Sequence, residues 1–497
     1  MNLLVRVDAS IKIGTGHLMR CMALAQAWQN IGGRAIFAIA TQATPIEDRL
    51  VSEGMNVVHL SVEPGSAEDA IKTANLARQL GATWVVVDGY HFGAEYQRII
   101  KNCGLRLLFI DDYGHAQLYW ADLVLNQNIY AHEGLYPNRA PDTQLLLGTR
   151  YALLRGEFCQ WQEWTRKILP VARKVLVTLG GSDPDNVTLK VIQGLQRVDV
   201  PDLEAVVVVG GSNPHYEKLQ AAVDASPFPI SLERNVTNMP ELIAWADVAI
   251  SAGGSTTWEL AFMGLPSLVL VLADNQRAIA EKLGDMGVAV NLGWHEYVSV
   301  AEIAQAMKQL LVSSGIRAEM ARHGRELIDG EGTARVLMHL QDQPLRLRPI
   351  RQEDCKLLWE WANDPEVRSA SFSSDPIPWE QHLQWFANKL HDSNCYIFIV
   401  FDYEDRAIGQ VRFERRNGNE AEISISLDKE KRGSGYGSRI IDIAVKELFR
   451  HTSIPSVYAL IKPNNETSIK AFEKARFNKL GNKTAMGNLA LYYVKFK

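Results

Sequence analysis

Two successive parallel α/β domains followed by a smaller α+β domain are predicted by three features of this 497-residue chain. Up to about residue 340, short Val/Ile/Leu-rich runs alternate with stretches of helical periodicity, the βα pattern that builds parallel sheets covered by helices. The polar, aromatic stretch FCQWQEWTRKILPVARK (158–174) splits those runs into an earlier and a later group. Beyond Gln341-Asp342-Gln343-Pro344 the order changes to a strand, Trp-rich helices and consecutive strands, and Pro344 stops the preceding helix.

In order, the first group contains LLVRV (3–7), AIFAI (35–39), WVVVD (84–88) and LLFID (107–111). The second contains VLVTLG (175–180), AVVVVG (205–210), DVAIS (247–251) and SLVLVL (267–272). These give Rossmann-like domains over 1–160 and 161–340, with a hinge at 158–174 and a ligand crevice beyond the carboxyl ends of their strands. The third domain, 345–497, opens on LRLRPI and carries YIFIVF, AIGQVRFE and AEISISL before a glycine-rich turn. A hydrophobic fraction of 47% with 22% charged residues excludes a disordered or collagen-like chain. Lys plus Arg (52) minus Asp plus Glu (57) leaves −5, the wrong sign for a protein that lives on nucleic acid. Cys21, Cys103, Cys159, Cys355 and Cys395 are too scattered for a disulfide framework or a paired zinc site. Arg6 and Asp8 interrupt the apolar start, and no uncharged run is long enough to span a bilayer, so the expected location is the cytoplasm.

The first βα connection reads Gly14-Thr15-Gly16-His17 before a helix whose Leu18, Cys21, Leu24, Ala25 and Trp28 share one face. No third glycine stands at the dinucleotide spacing, so NAD is not expected. At a helix start the macrodipole disfavours imidazolium, which leaves His17 available to accept a proton. Its alternative is a histidine that only hydrogen-bonds the loop, but the flanking glycines admit a ligand close to the backbone. Asp88-Gly89-Tyr90-His91, Asp111 to His115 and Asn126-Gln127-Asn128 also follow strand ends and offer polar groups to a sugar, or cap helices. In the second domain, Gly253-Gly254 precede a helix starting near Ser255, where backbone N–H groups with Ser255, Thr256 and Thr257 form a pocket for a diphosphate. Glu259, one turn in, is placed to accept both hydroxyls of a ribose; Thr256 to Glu259 also fits a capping box. Gly180, Gly181 and Ser182 end another strand, and Asp183-Pro184-Asp185 reads as a turn rather than a metal site; no metal is expected.

GTGHLMRC, YALLRGEF, VLVTLGGSDPDN, NVTNMPELIAWAD and AGGSTTWELAFMGLPSLVLVLADNQ occur in the order in which the UDP-sugar hydrolases of pseudaminic acid biosynthesis carry them. Residues 1–340 resemble that family, which is related in fold to the MurG-type GT-B glycosyltransferases. The resemblance implies metal-independent hydrolysis of UDP-2,4-diacetamido-2,4,6-trideoxy-β-L-altropyranose to UDP and free sugar. It also implies His17 as base, Gly253 to Thr257 as the nucleotide-binding helix start, and Glu259 on the ribose. Uracil falls against Val236 and Met239, and Asn275 and Gln276 line the crevice.

In the third domain, Arg432-Gly433-Ser434-Gly435-Tyr436-Gly437-Ser438 joins a strand to the amphipathic helix SRIIDIAVKELF, with successive N–H groups aimed at a pyrophosphate. With Asn465, Ser468 and the opening LRLRPIRQEDCKLLWEWANDPEVR, this region is similar to the GNAT N-acetyltransferases, which implies acetyl-CoA as cosubstrate. Phe472 stands where that family commonly carries a tyrosine acid, leaving Tyr492, Tyr493 or solvent to protonate the thiolate. Glu422 and Asp428 are candidate bases for the amine, and the tryptophans of 359–385 read as core. The preceding step of the same pathway acetylates the 4-amino group of UDP-4-amino-4,6-dideoxy-β-L-AltNAc, which a fused GNAT domain fits. The competing readings are a MurG-like transferase with an acceptor other than water joined to a GNAT domain acting on another amine, and a non-enzymatic nucleotide-sugar sensor. Residues 1–150 contain no apolar, basic run for a lipid-linked acceptor.

Overall fold

Strands whose residues are apolar throughout have no face to give to water, so both faces need cover. The computed structural model describes residues 1–9, 15–41, 44–181, 183–211, 213–234, 236–341, 345–402, 405–416, 420–433 and 435–497. The chain divides into two compact units, Met1–Leu337 and Met338–Lys497.

Unit one holds two parallel sheets. The first comprises β1 (Asn2–Val7), β2 (Arg34–Ile39), β3 (Asn56–His59), β4 (Ala82–Asp88), β5 (Leu107–Ile110), β6 (Leu123–Asn126) and β7 (Gln144–Leu147), in the order β3-β2-β1-β4-β5-β6-β7. The second comprises β8 (Lys174–Thr178), β9 (Glu204–Val209), β10 (Ile230–Arg234), β11 (Val248–Ala252), β12 (Ser267–Val271) and β13 (Ala289–Trp294), in the order β10-β9-β8-β11-β12-β13. All eight strands expected from the apolar runs are present, and β11 and β12 are buried at every position. The strands not expected are mostly edges: β3 and β10 have no fully buried residue, so their sequences lack an apolar run. In each sheet the order reverses between the first strand and the fourth, β1 beside β4 and β8 beside β11. Such a switch point leaves a crevice at the carboxyl ends, where the two connections diverge to opposite faces.

The helix Gly16–Asn30 buries Leu18, Cys21, Leu24, Ala25 and Trp28 as its spacing requires. The helix Gly332–Leu340 returns from the second sheet to the first half: the Thr333 hydroxyl accepts from the Leu154 N–H and donates to the Leu154 carbonyl, 3.1 Å each. A Cβ on Gly332 would stand 2.3 Å from the Ala152 carbonyl oxygen, so this close approach excludes any larger residue.

Asp8, just past β1, is fully buried. It accepts from Arg6 at 2.8 Å, His91 at 3.2 Å and the Ala40 N–H at 2.8 Å. Burial alone would raise its pKa, but the bonds to His91, Arg6 and Ala40 together bring it down to about 2. A depressed carboxylate stabilises the fold above its unfolded pKa, near 4, and that contribution, about 2 kcal/mol, disappears as the pH falls through 2. The stability gap between the native chain and Asp8→Asn in urea unfolding is therefore expected to be constant from pH 7 to 5 and to shrink between pH 4 and 2. A gap independent of pH would exclude this contribution.

Unit two has one mixed sheet: β14 (Arg346–Pro349), β15 (Cys395–Phe401), β16 (Ala407–Arg415), β17 (Glu420–Leu427), β18 (Ser456–Ile461), β19 (Asn478–Ala485) and β20 (Asn488–Phe496). Its order is β14-β15-β16-β17-β18-β20-β19, and only β17 and β18 run parallel. That pair joins only at Glu420–Glu422 against Ser456–Tyr458, so the strands separate toward their carboxyl ends. The helix Tyr436–His451 buries Ile440, Ile441, Ala444, Val445 and Leu448 against the sheet, and Trp361 with Leu358 and Phe386 packs on Ile399. The hairpin of β19 and β20 was not expected; β19 is an edge strand with no fully buried position. Among the described residues no helix is long and apolar enough to cross a membrane, and all five cysteines are free.

Candidate active sites

A cavity of about 700 Å³ lies between the two sheets of unit one, at the carboxyl ends of β1, β4, β8 and β11. Of the residues expected there, Gly16, His17, Tyr90, Gly180, Gly181, Val236, Met239, Gly253, Gly254, Ser255, Thr256, Glu259, Asn275 and Gln276 line it. Gly14 and Ser182 lie outside the described residues. The two walls approach closely: a Cβ on Gly181 would stand 2.9 Å from Thr15 Oγ1, and one on Gly16 3.9 Å from Ser255 Oγ.

Asp88 is placed differently from expectation. It is fully buried behind His17 instead of lining the cavity, because its oxygens are already taken. Oδ1 lies 2.7 Å from His17 Nδ1, and Arg20 donates to both oxygens at 2.7 Å through Nε and Nη2. Burial would raise the Asp88 pKa, but Arg20 and His17 outweigh it and hold the carboxylate ionised. An ionised carboxylate only accepts, so the short contact requires the ring proton on Nδ1. Nε2 is then the lone-pair nitrogen, and it has no hydrogen-bond partner among the described residues. His17 is 8% exposed, enough to place its ring on the cavity wall.

Around this pair, Arg20 also donates to Asp112 at 2.7 Å. Tyr90 donates to the other Asp112 oxygen at 2.7 Å and accepts from Asn275 of the facing wall at 3.1 Å. Burial and Asp112 together push the Tyr90 phenol well above its ordinary pKa, so it keeps its proton. Arg20 was missed in the sequence, although three residues after His17 is the spacing that puts both on one helix face.

On the opposite wall the helix is Thr256–Phe262, with Ser255 at its N-cap and no side-chain cap bond, so the capping box does not form. Glu259 turns instead to Arg155, whose Nε and Nη2 both lie 2.9 Å from Oε1. Its second oxygen accepts no hydrogen bond from a described residue. Burial raises the Glu259 pKa and Arg155 opposes this. Arg155, also 2.9 Å from Glu157, is a second residue that sequence reasoning missed. Thr257 is buried and donates to the Gly254 carbonyl, so it shapes the turn and does not reach the cavity. Gln276 is likewise occupied, accepting from the Leu272 N–H. Asp183 caps the helix Val187–Leu195 through the N–H groups of Val187 and Thr188. Among the described residues no group of three or more His, Cys, Asp or Glu side chains is placed to hold a metal ion.

In unit two, Gly433 (φ +74°) and Gly435 (φ +78°) bring the chain from β17 into the helix Tyr436–His451; Ser434 lies outside the described residues. Gly437 follows in its first turn. The Arg432 guanidinium is not free for a phosphate: it donates to the Leu427 carbonyl and pairs with Asp364 at 2.8 Å and Glu366 at 2.9 Å. Ser438 is buried, and its hydroxyl lies 3.5 Å from the Gly435 carbonyl. Asn465 caps the helix Glu466–Lys474 by accepting from the Ser468 N–H, so both residues act first in the local turn. Phe472 is buried in the core with Phe477. Tyr493 is buried and donates to Glu473, which removes it as a thiolate acid, whereas Tyr492 lies under the Lys483 ammonium at 3.5 Å. Asp428 caps the next turn and accepts from Trp361 Nε1 at 3.2 Å; Glu422 accepts from Arg416 at 3.2 Å.

Residues 175–329 match the glycosyltransferase family 28 C-terminal domain, and residues 344–478 match the acetyltransferase (GNAT) domain. The spore coat polysaccharide biosynthesis protein SpsG of Bacillus subtilis is 30% identical over 248 residues, covering 50% of this chain and 72% of that protein. The UDP-2,4-diacetamido-2,4,6-trideoxy-beta-L-altropyranose hydrolase of Campylobacter jejuni is 27% identical over 225 residues, covering 44% of this chain and 73% of that protein. The acetyltransferase PseH of the same organism is 23% identical over 128 residues, covering 26% of this chain and 79% of that protein. The chain thus belongs to the family of SpsG and is an enzyme of two parts, one similar to that UDP-sugar hydrolase and one matching the GNAT acetyltransferase domain.

Proposed function

We propose that residues 345–497 transfer acetyl from acetyl-CoA to the 4-amino group of UDP-4-amino-4,6-dideoxy-β-L-AltNAc, and that residues 1–340 hydrolyse the resulting UDP-2,4-diacetamido sugar to UDP and free sugar. The observation that carries the hydrolytic half is an imidazole with Nδ1 tied to Asp88 at 2.7 Å and Nε2 unpartnered among the described residues, across the cavity from the Gly253–Glu259 helix start. Residues 161–340 hold UDP: N–H groups at Gly254 to Thr256 take the diphosphate, the second oxygen of Glu259 a ribose hydroxyl, and Val236 with Met239 the uracil. Residues 1–160 hold the sugar and the base.

His17 Nε2 takes a proton from water as its oxygen bonds to the anomeric carbon. The bond from that carbon to the phosphate oxygen breaks, and UDP leaves with the electron pair. A diphosphate is a good leaving group, and N–H groups already aimed at it take up the developing charge, so no strong acid is required. In the acetyltransferase, the N–H groups of Gly433 and of Gly435 to Ser438 face the acetyl-CoA pyrophosphate where β17 and β18 separate, and Arg432 acts by holding that loop.

The test is mass spectrometry of the products from UDP-4-amino-4,6-dideoxy-β-L-AltNAc with and without acetyl-CoA. The expected products with acetyl-CoA are CoA, UDP and the diacetamido sugar. Acetylated nucleotide sugar without UDP release would overturn the hydrolase half, and UDP release without acetylation the other.

A further inference from the structure

The His17 ring is gripped from two directions, and both lead to one residue. Nδ1 is held by Asp88, which is held bidentately by Arg20, whose remaining nitrogen donates to Asp112 Oδ1 at 2.7 Å. The other side of the ring meets Tyr90 edge-on, centroids 4.8 Å apart at 85°, and the Tyr90 hydroxyl donates to Asp112 Oδ2 at 2.7 Å. Asn128 adds a third side-chain donor to Asp112 at 2.8 Å. Asp112 lines the cavity but is only 7% exposed, and both its oxygens are already taken by these side-chain donors, so water competes little for them. Since Tyr90 gives its proton to Asp112, it meets Asn275 of the facing wall only as an acceptor, and Asp112 is thereby linked to a contact between the two walls.

Resting on the reading of His17 as base, we infer that Asp112 is a positioning residue for the hydrolytic step, fixing the imidazole through Arg20–Asp88 on one side and Tyr90 on the other. It does not exchange protons with the water or the sugar. A displacement of about 1 Å at a reacting nitrogen costs roughly a hundredfold in rate, which sets the scale expected for its loss.

The experiment compares Asp112→Asn in the native and in the His17→Asn background, reading UDP release from the diacetamido UDP-sugar and UDP affinity by calorimetry. In the native background kcat is expected to fall about a hundredfold, with KM and UDP affinity within about threefold. In the His17→Asn background the residual rate is expected to fall less than about threefold, because there is no imidazole left to position. Equal falls in both backgrounds, or no fall in the native one, would overturn the inference. If Asp112→Asn binds no UDP, Asp112→Glu is read in the same two backgrounds by the same criterion. A His17→Asn enzyme at the parental rate would remove the hydrolase reading itself, whereas an inactive one with an unimpaired Asp112→Asn would remove this inference alone.

Discussion

Replacing His17 by asparagine is expected to slow UDP release from the diacetamido UDP-sugar about a thousandfold, or about 4 kcal/mol of barrier, the scale of a lost general base. UDP affinity should stay within about threefold, because the nucleotide is assigned to the opposite wall. Asp88→Asn should be nearly as damaging although Asp88 does not line the cavity. The new amide would offer an N–H to Nδ1 and move the ring proton to Nε2, leaving nothing to accept the proton of water. Single-turnover UDP release with calorimetry for UDP checks both variants. Parental rates in either would remove the His17–Asp88 pair from the reaction.

The second large effect belongs to the acetyltransferase. Gly435 has φ +78°, and a Cβ placed on it would meet nothing within 4 Å. The first carbon of a Gly435→Val side chain therefore meets open space among the described residues. The substitution costs about 1–2 kcal/mol of backbone strain and puts a branched side chain where the pyrophosphate approaches the N–H groups. The expected result is a loss of about a hundredfold in kcat/KM for acetyl-CoA, followed by CoA thiol release, with hydrolysis of the diacetamido UDP-sugar by the other unit unchanged. An acetyltransferase rate equal to the parent would move the pyrophosphate site elsewhere.

How far the sequence carried depends on the range of each signal. His17 and the Gly253–Glu259 turn were legible because strand, glycine loop and helix start form a local grammar within a dozen residues. Arg155 was not, because its partner Glu259 lies 104 residues away and nothing around it marks the encounter. Asp88 was recognised as a polar group at a strand end but given the wrong neighbour: a carboxylate there reads alike whether it meets a ligand or a histidine 71 residues earlier. Asn465 and Thr257 were each recognised, yet their polar atoms close their own turns, and Arg432 is taken up by the Leu427 carbonyl, Asp364 and Glu366, a competition between protein and ligand bonding that spacing cannot resolve. The strands flanking each switch point of unit one were found from apolar runs, and β3, β10 and β19 escaped because an edge exposed to water needs no such run.

The return of the helix Gly332–Leu340 to Leu154 has a mechanical consequence for unit one. The polypeptide crosses between its halves twice, outward after Leu154 and back before Gly332. Bodies strapped at a single point swivel in every direction, whereas two straps leave one easy rotation, about the line joining them. Any rotation of one half against the other would then follow a single arc, along which the Tyr90–Asn275 contact would open and re-form in one register.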